Sequence, residues 1–395
     1  MSRPLISRSP DLKRLQDEGY EVDVVAVHLV LDHVPYVAED RTVRYGRLVS
    51  ELTLSGDVTM APSTHVVHFS GSVPCDHEGH PLEKIINNRQ TRALADGLTI
   101  DFDFSSKPLG SGAYPDYYAK MSTYAAILAS QAQRLDPQAT AQTFRVVMSP
   151  PEENSVFHYL DTASSRAGIS AITQKLQGHR VAIVGLGGTG AYILDLVAKT
   201  PVREIHLFDG DRFMQHNVFR APGAAAVEDL QGAPLKVSYF TGLYEKMRSG
   251  IVPHPAYVDE TNVDDLRAMD FVFVAIDRGP ARKLVVHALE EYGLPFVDVG
   301  MGVYDGDGAL AGLVRVTTST PDQRAHHAKG RIPFGEEDGN NEYTLNIQIA
   351  DLNAFNATLA VIKWKKLCGF YADLEREHHT VYQIDGNVLT NEDLA

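Results

Sequence analysis

The sequence is poor in cysteine, because only Cys75 and Cys368 among its 395 residues carry a thiol. Two thiols cannot form the disulfide framework of a small secreted domain, and without any Cys-x-x-Cys pair we expect no zinc site of the usual thiolate kind. Cys368 follows a long helical segment among apolar residues, which favours a packed thiol. Cys75 lies in the polar segment 74–81 with His77 and His80, where a turn is favoured over a reactive or metal-binding thiol.

Positive charge and long apolar runs are also scarce. The chain has 36 basic against 51 acidic residues, a net charge of −15. Such a field repels phosphate backbones, so we expect no nucleic-acid partner. No apolar run reaches the ~20 residues of a membrane span, and the first 20 residues have no apolar core of signal-peptide length. We therefore expect a cytoplasmic protein without a membrane partner.

The composition of the sequence changes near residues 150–154, within the run Ser-Pro-Pro-Glu-Glu-Asn-Ser, which is typical of a linker between two folded segments. We predict a smaller α+β domain over residues 1–152, whose aromatic and arginine-rich segments fit either a partner-binding surface or a core. In residues 153–395, short apolar strands alternate with helices, which is typical of a parallel sheet covered on both faces. The prediction is an α/β fold, with a Rossmann-like doubly wound, mostly parallel sheet in the second domain.

A glycine-rich loop follows the first strand of that second domain. It reads Gly185-Leu-Gly187-Gly188-Thr-Gly190, and a helical segment comes directly after it. Glycines permit a tight turn and let a phosphate approach backbone N–H groups at the helix N-terminus. Asp209 ends the next strand, 19 residues after Gly190, where an acidic side chain meets a ribose hydroxyl in Rossmann sites. The pattern indicates a nucleotide site, with packing of the turn alone as the alternative.

Polar residues beyond the loop favour adenylation over hydride transfer. Attack on an α-phosphate develops charge on pyrophosphate, which requires cations such as Arg220 and Lys236 and a magnesium ion held by a carboxylate. Asp277 follows the apolar run 271–276, at a strand end where open α/β sheets bind ligands. In the alternative reading, Asp211 and Arg220 form a surface ion pair and Lys236 is a solvated helix residue.

The order of these motifs resembles the ubiquitin-activating, ThiF and MoeB adenylating superfamily. Gly-x-Gly-Gly-x-Gly, Asp-x-Asp, Asn-x-x-Arg, a helix-opening lysine and a strand-end aspartate follow one another within residues 161–371. The resemblance implies ATP and Mg²⁺ as cofactors, with Asp277 as the magnesium ligand. It also implies that Asp209 binds the ribose and that the triphosphate is bound by Asn217, Arg220 and Lys236.

The resemblance also implies an arginine finger. Its match is Arg166, in a helix predicted over residues 164–176. Because this arginine often reaches the site of the opposite subunit in the family, the resemblance implies a homodimer.

The sequence departs from the family in the crossover loop, predicted at about 317–342. Thioester-forming members keep a cysteine there, whereas this chain has the hydroxyl residues Thr317, Thr318, Ser319 and Thr320. Either the enzyme passes its acyl-adenylate directly to an acceptor, or a hydroxyl forms an oxyester. Ser319 is the least hindered candidate, with His326 or His327 as its base. A flexible polar loop without a chemical role is the alternative.

The resulting expectation is ATP-dependent adenylation of the C-terminal carboxylate of a ubiquitin-like protein, followed by transfer to a conjugating-type acceptor. Bacterial ThiF-type proteins with an added N-terminal domain have this context in the family. A first alternative within the same class is adenylation of a peptide or small carboxylate. Two further alternatives are an NAD-dependent dehydrogenase and a nucleotide-binding scaffold that catalyses nothing.

Overall fold

The computed structural model describes residues 2–56, 58–108, 110, 112–147, 155–335 and 347–394. The chain divides into two compact units, Met1–Val147 and Met148–Ala395. The linker and the domain boundary expected at residues 150–154 lie outside the described residues. None of the described helices combines the length and apolar character that crossing a membrane requires.

The N-terminal unit is built on an antiparallel sheet with the strand order β1-β2-β3-β6-β8-β7. Its aromatic residues are mainly core, since Phe104, Tyr114 and Tyr117 are buried in one apolar cluster. Its elements are α1 (Ser2–Arg8), α2 (Pro10–Asp17), β1 (Glu21–Val25), β2 (His28–Val37), β3 (Val43–Glu51), β4 (Leu54–Ser55), β5 (Val58–Thr59), β6 (Val66–Ser70), β7 (Ile86–Ala95), β8 (Leu98–Ser105) and α3 (Tyr117–Ala132).

The C-terminal unit contains a sheet of eight described strands in the order β11-β10-β9-β12-β13-β14-β15-β16. In this order, each strand from β11 to β13 runs parallel to its neighbour. The strands β14, β15 and β16 each run antiparallel to the strand before them. The predicted mostly parallel α/β sheet is thereby confirmed. The strands are β9 (Arg180–Val184), β10 (Glu204–Phe208), β11 (Ile251–His254), β12 (Phe271–Val274), β13 (Phe296–Gly306), β14 (Ala309–Ser319), β15 (His379–Gln383) and β16 (Val388–Glu392).

Helices cover both faces of this sheet. Successive residues of a strand point to opposite faces, and in β12 Phe273 packs on one face with Trp364 of α12 while Val272 packs on the other with Val285 of α10. Both faces being buried explains why β9 and β12 are continuous apolar runs. The helices are α4 (Thr162–Arg166), α5 (Ser170–Thr173), α6 (Gly188–Ala198), α7 (Gln215–Val218), α8 (Val227–Gln231), α9 (Lys236–Tyr244), α10 (Gly279–Glu291), α11 (His326–Lys329) and α12 (Ala350–Leu367).

The strand order reverses between β9 and β12, which are neighbours although two strands separate them in the sequence. The main chains beyond these strand ends are held together, since Ala275 N donates to Val184 O over 2.8 Å and Gly185 N donates to Phe208 O over 2.8 Å. Doubly wound sheets bind ligands in the crevice at such a reversal. The fold therefore brings the glycine-rich loop and the segment around Asp277 to one place.

Two local predictions were wrong. The helix expected over 164–176 is divided into α4, α5 and a 3₁₀ turn at Gln174–Leu176, because Gly168 adopts a left-handed conformation (φ +70°) just after α4 ends. The hydroxyl residues Thr317, Thr318 and Ser319 belong to β14 instead of a crossover loop. Pairing with β13 continues to Ser319 opposite Phe296, and β-branched residues fit such a pleated surface. Residues 336–342 of the expected loop lie outside the described residues.

Candidate functional site

Two adjoining cavities open at the carboxyl ends of β9 and β12. The smaller has a volume of about 180 Å³ and reaches the end of β10, and the larger has a volume of about 560 Å³ and extends towards β13 and α12. They share a wall composed of Gly187, Ala275, Ile276, Asp277, Arg278 and Gln348. Two reactants can each occupy one of these cavities and meet at the residues that both cavities share.

The glycines of the loop differ in the space that each position leaves for a side chain. A Cβ at Gly188 would lie 2.0 Å from Nδ2 of Asn353, so this position is closed by packing against α12. A Cβ at Gly187 would meet nothing within 4 Å, although Gly187 lines both cavities as the N-cap of α6. Open backbone at a helix N-terminus is an arrangement that binds anions. Gly185 and Gly190 are closed positions, at which a Cβ would approach main-chain oxygen atoms to 2.4 and 1.9 Å.

The two carboxylates of the Asp-x-Asp motif lie in different environments. The Asp209 side chain is 6% exposed, and its oxygens accept hydrogen bonds from Leu186 N over 2.7 Å and from Asp211 N over 2.8 Å. Asp209 thus links the glycine-rich loop, through Leu186 N, to the turn after β10, through Asp211 N. The Asp211 side chain is 46% exposed, so Asp211 offers the more accessible carboxylate to the smaller cavity.

Lys236 pairs with both carboxylates. Its Nζ lies 2.7 Å from Asp211 Oδ2 and 3.5 Å from Asp209 Oδ2, and its side chain is only 7% exposed. Burial would raise the pKa of Asp211, but hydrogen bonds from Lys236 and Tyr257 outweigh this effect and hold the pKa below its usual value. The pairing of Asp211 with Arg220 and the solvated Lys236, considered as alternatives from the sequence, are not what the structure shows.

Arg220 lines the smaller cavity, and its buried Nε has no hydrogen-bond partner among the described residues. A buried guanidinium N–H without a partner is costly, and an anionic ligand would satisfy it. Asn217 is not in the wall of this cavity, and its Oδ1 accepts a hydrogen bond from Met214 N over 2.8 Å. It shapes the turn that carries Arg220, whose N–H donates to Asn217 O over 3.1 Å. Its contact with a triphosphate stays a prediction.

Asp277 follows β12 and lines both cavities. Mg²⁺ at phosphate-transfer sites is bound by one or two carboxylates together with phosphate oxygens, so the carboxylate of Asp277 in the wall of the smaller cavity fits this ion. The assignment of Mg²⁺ to Asp277 stays a prediction. Arg278 lies beside Asp277 and places its guanidinium carbon 5.2 Å from the centre of the Tyr257 ring, which adds a cation to the shared wall.

The larger cavity has polar groups in its wall. Asn356 is fully buried, and its Nδ2 donates to Gly300 O over 3.0 Å while Oδ1 has no hydrogen-bond partner among the described residues. Arg282 is buried beside it, and its Nε lies 3.3 Å from Asp298 Oδ1. Asp298 also pairs with Arg315 over 2.6 Å. Two guanidinium groups against one carboxylate leave a net positive charge near this cavity, which favours an anionic reactant.

The hydroxyl residues proposed as acyl acceptors line neither cavity. Ser319 is fully buried, and its Oγ accepts from Arg324 Nη1 over 3.0 Å and lies 3.1 Å from His326 Nε2. Thr317 is also fully buried, between Arg315 and His379. These side chains are therefore not in contact with bulk water, unlike the side chains of a flexible loop. Thr318 is 2% exposed, and Thr320 lies just beyond the strand.

Neither thiol is activated. Burial raises the pKa of Cys75, and burial raises the pKa of Cys368 to about 11. A thiol with a raised pKa is a poor nucleophile at neutral pH. Arg166 is the last residue of α4, and its side chain lies outside what the structure describes.

Several residues of the site escaped the sequence analysis. Tyr257 donates its hydroxyl to Asp211 and packs over Gly210, but it lies in a loop without any motif. Asn353 and Asn356 are polar positions three residues apart on the buried face of α12. Their spacing of three residues, which places both amides on the side of the helix that also carries Ala357, Ala360 and Trp364, was the available signal, because buried polar groups require partners.

Two family models match the chain. Residues 10–162 match the model described as a domain of unknown function, DUF6791, and residues 161–323 match the ThiF family. A comparison with curated proteins found no significant match.

Solved structures with similar folds include Escherichia coli MccB with ATP, at 16% identity and a TM-score of 0.46, covering 59% of this chain and 71% of that chain. The Microcin C7 biosynthetic enzyme MccB in complex with N-formylated MccA has 17% identity and a TM-score of 0.45, covering 59% and 70%. PaaA has 15% identity and a TM-score of 0.42, covering 56% and 75%. By the family models, residues 161–323 correspond to a ThiF family domain, and a separate domain of unknown function precedes it.

Proposed function

We propose that this protein adenylates the C-terminal carboxylate of a ubiquitin-like protein at the expense of ATP. The observation that carries the proposal is the pair of cavities that share Gly187 and Asp277. One cavity presents groups that suit a nucleotide, and the other presents a net positive charge and a buried amide. A carboxylate oxygen attacks the α-phosphorus, the bond from that phosphorus to the β-phosphate bridging oxygen breaks, and pyrophosphate leaves.

In the smaller cavity, each group has a separate task. The accessible carboxylate of Asp211, supported by Lys236 and Tyr257, is the group that we assign to the ribose hydroxyls, while Asp209 fixes the loop from behind. Arg220 and the open backbone of Gly187 neutralise and position the phosphates. Asp277 would hold Mg²⁺, which when bound stabilises the charge that develops on the pyrophosphate.

In the larger cavity, the acyl substrate enters as an extended chain. Gly300 and Gly302 lie on β13, and Gly279 and Gly335 lie on other segments of the wall, so little side-chain bulk narrows the space. The unpartnered Oδ1 of Asn356 can accept a hydrogen bond from a backbone N–H of that chain. Arg282 and its neighbours draw the terminal carboxylate towards the shared wall by charge.

After adenylation, the acyl group passes directly to a conjugating-type acceptor. The buried hydroxyls of Thr317, Thr318 and Ser319 and the two inactive thiols disfavour an acyl-enzyme within this unit. The oxyester on Ser319 is therefore the weaker hypothesis of the two. It predicts an adduct that hydroxylamine cleaves and that Ser319→Ala abolishes.

The test is ATP–pyrophosphate exchange with purified candidate substrates. Exchange should appear with a ubiquitin-like protein that ends in a free carboxylate, and disappear when its last residues are removed or its terminus is amidated. Exchange with short peptides or small carboxylates alone would replace this proposal by the peptide alternative. Nucleotide binding without exchange under every condition would favour the scaffold, and tight NAD binding would favour a dehydrogenase.

A further inference from the structure

A second group of chemically competent side chains lies at the other end of α10 from the cavities. Glu290 is near the C-terminus of α10, and His326 and His327 open α11. His326 Nε2 lies 2.8 Å from Glu290 Oε1, and His327 Nε2 approaches Glu290 Oε2 more closely. The three donor atoms all lie within 4.8 Å of one another. Nitrogens of two imidazoles are thus directed at one carboxylate from adjacent positions in the chain.

Burial distinguishes this cluster from an ordinary surface ion pair. The Glu290 side chain is 13% exposed and that of His326 is 2% exposed, whereas His327 is 44% exposed. Glu290 Oε1 is buried and has His326 Nε2 at 2.8 Å and Arg324 Nη1 at 3.4 Å. One side of the cluster is therefore enclosed in protein, and the other side gives an ion access from solvent.

We propose that Glu290, His326 and His327 bind a divalent metal ion of the zinc class. Two imidazole nitrogens and one carboxylate oxygen form a donor set that suits Zn²⁺, with bonds of about 2.0–2.2 Å. Binding uses the Nε2 lone pair of each imidazole, so each bound ring is neutral and carries its proton on Nδ1. The fourth position falls to water or to the Ser319 hydroxyl, which lies 3.1 Å from His326 Nε2.

One neighbouring cation must give way. Arg324 Nη1 lies 3.4 Å from Glu290 Oε1, and its charge opposes that of a metal ion. Arg324 keeps other partners when this contact loosens, since Nη1 donates to Ser319 Oγ over 3.0 Å and Nη2 donates to the main-chain oxygen of Glu290 over 3.5 Å. Exchange of one long ion pair for metal coordination requires a small movement of this side chain.

The bound metal would join the end of α10 to the segment that leads into the larger cavity. Beyond α11, Ile332 is buried, Pro333 O accepts a hydrogen bond from Arg282 over 3.1 Å, and Gly335 lines the larger cavity. Gly279, at the first residue of α10, lines the same cavity. The metal would therefore have a structural role, in which it fixes both borders of that wall from a position outside the cavity.

Metal binding to the full chain tests the proposal without any need for turnover. After dialysis against a chelator, Co²⁺ should bind as one equivalent and produce the strong visible absorption of a four-coordinate site, and Zn²⁺ should displace it and raise the Tm. His327→Ala removes a half-exposed ligand and should abolish both the absorption and the stoichiometric binding. Glu290→Gln keeps the shape of the side chain and should weaken binding while circular dichroism stays unchanged.

The chain offers a matched control. Asp76, Glu78 and His80 form another cluster of possible donors, but it lies on the surface of the N-terminal unit, and the His80 side chain is 72% exposed. His80→Ala should leave the cobalt spectrum and the Zn²⁺-induced rise in Tm unchanged. A spectrum that survives His327→Ala, or is lost with His80→Ala, would overturn the proposal, as would weak octahedral cobalt alone, which would indicate an adventitious ion only.

Discussion

Lys236 Nζ lies 2.7 Å from the Oδ2 atom of Asp211, and this ion pair forms part of the wall of the smaller cavity. The lysine is buried, and the aspartate is half exposed. The pair holds the accessible carboxylate of the Asp-x-Asp motif in place in the wall of that cavity.

Lys236→Ala should weaken ATP binding and lower the free energy of unfolding by about 1–3 kcal/mol, because the partly buried carboxylates of Asp209 and Asp211 lose their cation. Fluorescence titration with an ATP analogue and urea denaturation measure the two effects. Lys246→Ala is the control, since Lys246 is an exposed lysine just after the same helix. Equal effects of the two substitutions would contradict a specific role for Lys236.

Adjacent glycines of the loop should respond differently to alanine. Gly188→Ala places a Cβ 2.0 Å from Asn353 Nδ2, so we expect a loss of about 1–3 kcal/mol in the free energy of unfolding. Gly187→Ala meets no neighbour within 4 Å and should lower this free energy by no more than about 1 kcal/mol, the usual cost of a poorer N-cap residue, while its methyl group hinders ATP binding. A destabilised Gly187→Ala with unchanged affinity for ATP would refute this division.

Asp277→Asn should leave the fold intact, because the side chain is exposed, and should slow ATP–pyrophosphate exchange by about 10²–10³-fold, the size expected when a group that stabilises developing charge is lost. The rate is measured over a range of Mg²⁺ concentrations. Asp307→Asn, in the hairpin turn between β13 and β14, removes the same charge from an exposed position and should exchange at the parent rate. An unchanged exchange rate in Asp277→Asn would contradict a role for Asp277 in holding the catalytic Mg²⁺.

Asp298→Ala should be strongly destabilising. The fully buried carboxylate lies between Arg282 and Arg315, and its removal leaves two buried guanidinium groups without an anion, at a cost of about 3–5 kcal/mol. Urea denaturation measures the change. Asp305→Ala removes an exposed aspartate from the same β13 and should cost far less. A small effect at both positions would mean that water enters the network.

Stability should decline as the pH falls from about 6.5 towards 4. Burial, reinforced by the nearby charges of Arg331 and Arg315, lowers the pKa of His379 from 6.5 to about 4. Between these pH values the unfolded chain binds a proton that the folded chain does not, so the free energy of unfolding decreases as the pH falls from 6.5 to 4. Above pH 6.5 His379 is neutral in both states, and the full free energy of unfolding is retained. The pKa of His378 is lowered in the same direction, again mainly by burial.

Urea denaturation at several pH values measures the slope, and His379→Asn should flatten it while Thr317 keeps a polar neighbour. The exposed His80 is the control, since His80→Asn should leave the slope as it is. A parent slope equal to that of His379→Asn would show that other groups dominate acid destabilisation.

The parts of the site that were predictable from the sequence are those with local signals. The glycine loop after an apolar strand, the carboxylates at strand ends and the helix-opening Lys236 can be read from neighbours along the chain. Because the carboxyl ends of parallel strands meet at one edge of a sheet, these residues had to converge once the fold was right. What separates Asp209 from Asp211 is burial, and burial depends on residues such as Tyr257 that no motif identifies.

The hydroxyl run 317–320 shows why the remaining parts could not be predicted. Four consecutive hydroxyl residues are typical of a solvated loop, yet three of them are buried in β14. His379, which lies 62 residues from Thr317, contacts its hydroxyl, and Arg324 donates to the Ser319 hydroxyl, so only the tertiary structure shows that these two hydroxyls have partners. The left-handed Gly168 similarly ended a helix that the side-chain pattern would have continued.

The shared wall of the two cavities has a consequence for how such a protein can diversify. Main-chain hydrogen bonds such as that from Ala275 N to Val184 O help to fix the wall. If the proposed function is correct, substitutions around Asn356 alter which carboxylate is accepted without moving the residues that line the smaller cavity, since Asn356 lines only the larger one. Selectivity for the acyl substrate and competence for activation would then be separable traits, open to independent change by mutation or by design.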